Sequence, residues 1–365
     1  MRRLKRCLVR IALALVVIAV LVACPIVWVE RSCIAMPESR TAATPAFNIP
    51  DADYRRAEGD SFLSYPEWYI VHSYADLAGV TARASESAFD YLAAISGFWS
   101  SLCRSTSVAT RIGTITADQK TTNYVIGISF TLEMGIQGLY ERTIGALTAR
   151  QPAERTAEDA FNLRLLQEYA AFLQQTPWYQ YPFTAELGRL WHEVPFHWSV
   201  RSAERRVSLS LQYGVKALYA AGIRYAAGYA PADLTIRSVV GGLDPSDVAA
   251  EPRIKLVREV AAADGTRGGL IETPRYQALT EIIQGLGARH RTIFEIAGNH
   301  RILTTVIVPP GKTLNLADAV EIFSIPIQSD PGARRLGFDT AVPSLAAQAG
   351  AVEAQGGRFE HAYDY

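Results

Sequence analysis

The sequence predicts an α+β protein: an N-terminal transmembrane helix, then a helical domain, then a ferredoxin-like α+β domain. Three observations carry that reading. The chain opens on a basic flank and a long uncharged run. Apolar residues then recur at helical spacing from about residue 61 to 230. From residue 231 the pattern turns β-branched and alternating, interleaved with two further helices. With 365 residues, 49% hydrophobic and 20% charged, the chain can bury sizeable cores and has the composition of a folded protein.

Residues 1–10, MRRLKRCLVR, form the flank, and residues 11–29, IALALVVIAVLVACPIVWV, carry no charge. As a helix that run would extend about 28 Å, close to the hydrocarbon thickness of a bilayer. It is longer than the apolar region of a cleavable signal and ends in Trp28, an interfacial residue type, so it reads as an uncleaved signal anchor. The positive flank should stay in the cytoplasm, which places the remaining chain in the periplasm of a bacterial inner membrane, with the lipid bilayer as a partner through residues 11–29. The alternative is a lipoprotein: LVAC, residues 21–24, resembles a lipobox with Cys24 as the lipidated residue, although Pro25 and further apolar residues follow it.

The formal net charge is zero but unevenly placed. Arg2, Arg3, Lys5, Arg6 and Arg10 precede the first acidic residue, Glu30, and without them 31 basic residues face 36 acidic ones, a net of −5. A mildly acidic body lacks the basic face that nucleic acid requires. Of four cysteines, only Cys33 and Cys103 lie in the exported part, so a Cys33–Cys103 disulfide is expected to staple the chain beside the membrane to a helix of the first domain.

Residues 30–60, rich in Pro, Ala, Thr and Asp, read as a mostly irregular linker. In the helical domain, 61–230, Thr156 with Asp159 reads as a helix cap, and Thr176–Pro177 as another helix start. Two helical stretches resemble each other at an offset of 79 residues. SFTLEMGIQGLYERTIG begins at Ser129 and SLSLQYGVKALYAAGIR at Ser208, with Gly135 and Gly214 matched, as are Trp99 and Trp178. The pattern reads either as two helices that need similar surfaces or as a degenerate repeat of about 79 residues, and in both the matched glycines would permit close backbone approach. The stretch 124–140 is apolar enough to suggest a second span, but Glu133 at its middle makes a buried soluble helix the better reading. Glu133 then needs a partner, and Lys216 on the related helix is the candidate for a buried ion pair.

Residues 231–365 contain the strand-like runs LTIRSVV, RIKLVREV, GGLIET, RTIFEIA, RILTTVIVPP and RFEHAYDY, and the helix-like runs YQALTEIIQGLGA and VPSLAAQAGAVEAQ. From 268 the order is strand, helix, strand, strand, insertion, helix, strand, which matches a split β-α-β plan.

SYPEWYIVHSY, residues 64–74, is dense in polar and aromatic groups. Ser64 and Glu67 fit a capping box, Trp68, Val71 and Ala75 share a core-facing side, and Asp76 is placed to hydrogen-bond His72. Glu67 and His72 are five apart and diverge around a helix, so they do not form a catalytic group. HEVPFHW, 192–198, puts His192 and His197 five apart across Pro195. That is not the spacing of a zinc helix, and the segment reads as an aromatic loop packed on the bundle. TPWYQYPF, 176–183, together with the YPEWY segment, supplies candidate ligand- or partner-binding aromatics: Trp68, Tyr69, Trp178, Tyr179 and Tyr181. IVPPGKTLN reads as a turn, and His290, His300 and His361 as exposed. No cofactor, metal or nucleophile motif stands out.

YPEWYIV, TPWYQYPF and YGVKALY together resemble an uncharacterised family of bacterial membrane-anchored proteins, over about residue 60 to the C-terminus. That resemblance implies one folded unit behind an N-terminal anchor and carries over no catalytic residue. The expected function is a binding or scaffolding module at the inner membrane, with a small ligand or an envelope partner. The alternatives are a membrane-tethered envelope hydrolase using Glu67, His72, His192 and His197, or a purely structural envelope protein.

Overall fold

The structure is a computed structural model that describes residues 20, 23–36, 47–113, 115–149, 155–226 and 234–365. Most of the apolar run 11–29 lies outside these residues. Among the described residues no helix is long and apolar enough to cross a membrane.

The described chain begins with helix α1, residues 23–32. Its inner side enters the helical core through the fully buried Val29. Glu30 fixes the same helix by an ion pair to Lys120 and by accepting from the Tyr124 hydroxyl at 2.7 Å. Cys33 is disulfide-bonded to Cys103 with the Cα atoms 5.1 Å apart, so the start of the body is stapled to the helical domain as the sequence expects. Cys24 is a free, exposed thiol.

The helical domain consists of α2 (Gly59–Leu63), α3 (Tyr65–Arg83), α4 (Tyr91–Ile112), α5 (Ala117–Tyr140), α6 (Ala146–Thr148), α7 (Ala157–Leu173), α8 (Phe183–His192) and α9 (Val200–Ala226). Thr156 and Asp159 form the reciprocal cap of α7. The capping box expected at Ser64 and Glu67 does not form. Ser64 is itself helical, its N–H already donates to the Asp60 carbonyl, and its hydroxyl donates to Ser61 O at 2.8 Å, so α2 runs almost directly into α3. Thr176–Pro177 opens only a single 3-10 turn, Trp178–Gln180.

The stretch 124–140 is buried on one side only, through Gly127, Phe130, Met134 and Gly138. It is the second half of α5, and its Leu132, Ile136 and Leu139 are exposed, as are Leu211, Val215 and Leu218 at the matching positions of α9. A Cβ added at Gly135 or Gly214 would meet nothing within 4 Å, so neither glycine serves a close approach inside the chain. What the two similar segments share is an outer surface.

The C-terminal part holds two four-stranded antiparallel sheets. The first is β1 (Thr235–Gly241), β2 (Lys255–Ala261), β3 (Arg267–Pro274) and β4 (Thr292–Ile296), in the order β2-β3-β1-β4. The short α10 (Pro245–Ala250) follows β1, and α11 (Gln277–Ala288) follows β3. The second is β5 (Arg301–Val308), β6 (Ala319–Pro326), β7 (Arg334–Ala341) and β8 (Arg358–Tyr363), in the order β6-β7-β5-β8, with α12 (Leu345–Ala354) after β7. Both sheets thus follow one strand order, and a loop replaces the first helix in the second. The sequence reads an insertion where β6 and β7 lie. Gly337, Arg334 and Arg335 dilute the apolar alternation there, and it is Gly337 that makes room for the Phe323 ring.

The sheets share a core in which Ile236, Ile271, Ile302, Val306 and Phe338 meet α11 and α12. These two helices cross where Gly287 faces the Ala346 carbonyl, and a Cβ there would sit 2.3 Å from that oxygen. The outer face of the first sheet is closed by Phe47, Ile49 and Tyr54, so the supposed linker is partly structural. Tyr54 donates to Glu295 at 2.6 Å. The outer face of the second sheet, through Leu303, Phe323 and Tyr363, joins the helical core.

The disulfide closes a separation of 70 residues. Replacing both Cys33 and Cys103 by Ala is expected to lower unfolding stability by about 2–5 kcal/mol in denaturant titration. An unchanged midpoint would show that the staple carries no stability.

Candidate functional site

Helix α3 separates two recesses. On one side, α3, α5, α7, the 3-10 turn, α9 and the ends of β3 and β8 enclose a cleft of about 500 Å³. Its walls are largely apolar: Trp68, Val125, Ile126, Phe130, Tyr169, Leu173, Trp178, Tyr219 and Ile223. This size and lining suit a small-molecule site. Trp68 and Trp178, candidates from separate sequence segments, line this one cleft. Tyr179 packs edge-on against Trp178, and Tyr181 is buried against Tyr169 and Phe172. Tyr69 faces the opposite side of α3, where its hydroxyl lies against Gly97.

Three polar groups converge on the cleft. Lys216 Nζ lies 2.7 Å from Glu133 Oε1 and 2.9 Å from the Tyr74 hydroxyl, which in turn donates to Glu133 at 2.5 Å. The ammonium also stands 4.6 Å and 5.0 Å from the ring centres of Tyr74 and Tyr169, so two π faces share its charge with the carboxylate. At the far end Asp364 accepts from Arg275 at 2.9 and 3.1 Å and from the Tyr276 N–H at 3.0 Å. Those bonds hold Tyr276 at φ 64°, a left-handed conformation that costs a bulky residue about 1–3 kcal/mol.

The third group is Glu67. Its exposed surface faces the cleft, yet surrounding protein raises its pKa by burial, against the pull of Arg275. Among the described residues its carboxylate has no hydrogen bond or ion pair.

On the other side of α3 a smaller cleft of about 330 Å³ is lined by His72, Ser73, Asp76, Arg104 and Arg335 among others. The bond expected between His72 and Asp76 is not made. Asp76 accepts from Ser329 Oγ at 2.5 Å and from the backbone N–H groups of Gln328 and Ser329. His72 Nε2 instead meets the Tyr363 hydroxyl at 3.0 Å, which reaches Thr305 at 2.9 Å. Arg335 pairs with Glu360 through contacts of 2.5 and 2.8 Å, and His72 Nδ1 stands 3.9 Å from the same carboxylate.

His361 is not exposed as expected. It is buried in β8, with its ring centre 3.8 Å from that of Trp68 and its Nδ1 3.0 Å from the Thr280 hydroxyl. RFEHAYDY alternates, so the odd–even side of His361 depends on which face of β8 is covered, and both are. His290 is exposed and His300 half-buried.

The residues of the hydrolase alternative are not brought together. Glu67 lines the larger cleft and His72 the smaller, while His192 and His197 are exposed around the α8–α9 loop and line neither. That loop does not pack down as expected: Trp198 is 81% exposed, and Arg206 lies over the rings of Trp191 and Phe196. The described residues contain no group of three metal-binding side chains. Arg275, Tyr276, Asp364 and Tyr219, which complete the larger cleft, were not singled out by the sequence. No family model, curated protein or solved structure matches this chain.

Burial lowers the pKa of both His72 and His361 to about 3, assisted at His72 by the positive charge of Arg335 and at His361 by His72. Both are neutral in the folded state, whereas unfolded histidine titrates near 6.5. Stability is therefore complete above about pH 6.5 and declines as pH falls toward 3, by up to about 1.4 kcal/mol per pH unit for each histidine. Denaturant midpoints recorded between about pH 7 and pH 5 should fall steeply for the wild type and less steeply for His361→Gln, whatever its absolute stability. Equal slopes would contradict neutral burial of His361.

Proposed function

We propose that this protein is a binding module held at the bacterial inner membrane, with its body in the periplasm, and that the α3–α9 cleft takes a small amphipathic molecule. The observation that carries the reading is the preformed apolar cleft with a carboxylate, Glu67, that has no hydrogen bond or ion pair among the described residues. An apolar body would lie between Trp68, Trp178 and Tyr219, while a hydrogen-bond donor or cationic group would meet Glu67. Because Glu67 is exposed to the cleft, its oxygens are accessible to a ligand's donor or cation, and the apolar walls around it strengthen such a contact. The Glu133–Lys216 and Arg275–Asp364 pairs are already satisfied and act as fixed polar walls.

In this reading residues 11–29 form the anchor, with lipidation at Cys24 as the other means of attachment. The two sheets, each with the split β-α-β strand order, form a doubled ferredoxin-like support for the cleft floor.

Native mass spectrometry of the full-length protein extracted from membranes tests the proposal. The wild type should retain an added mass that denaturation removes. Trp178→Ala should lose it by emptying one wall, and Glu67→Gln should reduce it while keeping the fold. A wild type with no added mass, or variants that retain it fully, would contradict the assignment.

A further inference from the structure

Helices α5 and α9 are linked by Glu133–Lys216 well inside each helix and by the Tyr140 hydroxyl on Glu204, at the end of α5 and near the start of α9, so they run antiparallel. Between Thr121 and Tyr140 the only charged residue is Glu133, and between Val207 and Ile223 it is Lys216. Because these two pair with each other, the outer face of both helices is left without charge. Apolar side chains fill it: Ile136 is 70% exposed, Leu139 70%, Leu211 65% and Leu218 77%. Large apolar side chains exposed in such number on two linked, uncharged helix faces are uncommon unless something covers them.

We propose that this face seats on the surface of a lipid bilayer. Exposed aromatic residues with polar edges border the aliphatic positions, with Trp198 before the start of α9, Trp191 beside Ser210, and Tyr219 and Tyr225 toward the far end of α9, residue types that membrane interfaces favour. The described end of the chain's apolar run, residues 23–29, lies in α1, and Glu30 pins α1 to Lys120 and Tyr124 of α5. The next residue, Val125, is the first large apolar residue exposed on α5, and Val27 and Trp28 of α1 are exposed as well. A dimer seam of the coiled-coil kind would carry charged flanking positions to fix its register. Here the flanks include Ser129, Gly135, Gly214 and Gly222.

The face also meets the cleft. Val125 and Tyr219 belong to both, so a ligand leaving the bilayer would enter the cleft without crossing water. The substrate class for the cleft is accordingly a membrane lipid with a donor-bearing headgroup. The inference rests on the membrane-bound reading above, but docking of the face does not require the cleft to be occupied.

The test uses the full chain in vesicles of phosphatidylethanolamine and phosphatidylglycerol, in a Cys7→Ser/Cys24→Ser background. Spin labels are placed singly at Ile136→Cys and Leu218→Cys, with Leu256→Cys on β2 as an exposed apolar control. Labels at 136 and 218 should be reached by oxygen and lose accessibility to an aqueous nickel chelate, while the label at 256 stays open to the chelate. Labels at 136 and 218 open to the chelate would overturn the proposal, as would labels shielded from both reagents, which would indicate a second copy or another protein. A chain that does not float with the vesicles overturns docking and anchoring together. If the labels sit in lipid but no bound mass is retained, docking stands and the cleft assignment falls.

Discussion

The structure depends on how α3 is held against the second sheet. Trp68 stacks on His361, Tyr65 packs on Phe323, and His72 reaches the Tyr363 hydroxyl. One turn earlier, Ser61 of α2 donates to Tyr363 O at 2.6 Å and accepts from the Leu303 N–H at 2.9 Å. Aromatic contact supplies the area and the hydrogen bonds fix the register. Buried polar groups tolerate only the arrangement that satisfies them. The helical domain and the sheets therefore have one relative placement, and both clefts follow from it.

That placement explains why the larger cleft persists with polar groups in its walls. Lys216 is bound by a carboxylate, a phenol and two ring faces. Arg275 and Asp364 join the loop after β3 to the end of β8 and hold Tyr276 in a conformation it would not adopt alone. Elsewhere in the helical domain Arg205 is shared among Glu86, Glu141 and Asp159, a buried network that ties α7, α9 and the turn after α5. Removing one member of such a network leaves charge without compensation, so these contacts favour a single geometry more than they add net stability.

Much of the architecture was legible because it rests on local pattern. Period 3.6 marked α4, α5, α7 and α9, and the α7 cap was visible in Thr156 and Asp159. The Cys33–Cys103 bridge followed from only two cysteines lying beyond the long apolar run. Other features depend on tertiary cover, which local pattern does not carry. β6 and β7 hide behind arginines and glycine. His361 looked like a strand-end histidine because nothing local announces that α11 and Trp68 cover it. The similarity of α5 and α9 was readable, but its meaning was not, since an apolar stripe reads the same whether it faces a core or the outside. At the site, Trp68 and Trp178 were found by aromatic density. Arg275, Tyr276 and Asp364 come together only through the ends of β3 and β8.

Hydrogen–deuterium exchange on the full-length protein tests the central claim most directly. If α3 is the joint between the helices and the second sheet, its amides will exchange slowly and in one cooperative unit with β5 and β8. Amides of α3 that open independently of β5 and β8, at lower free energy, would contradict the account, because the wall shared by the two clefts would not be fixed by the sheet.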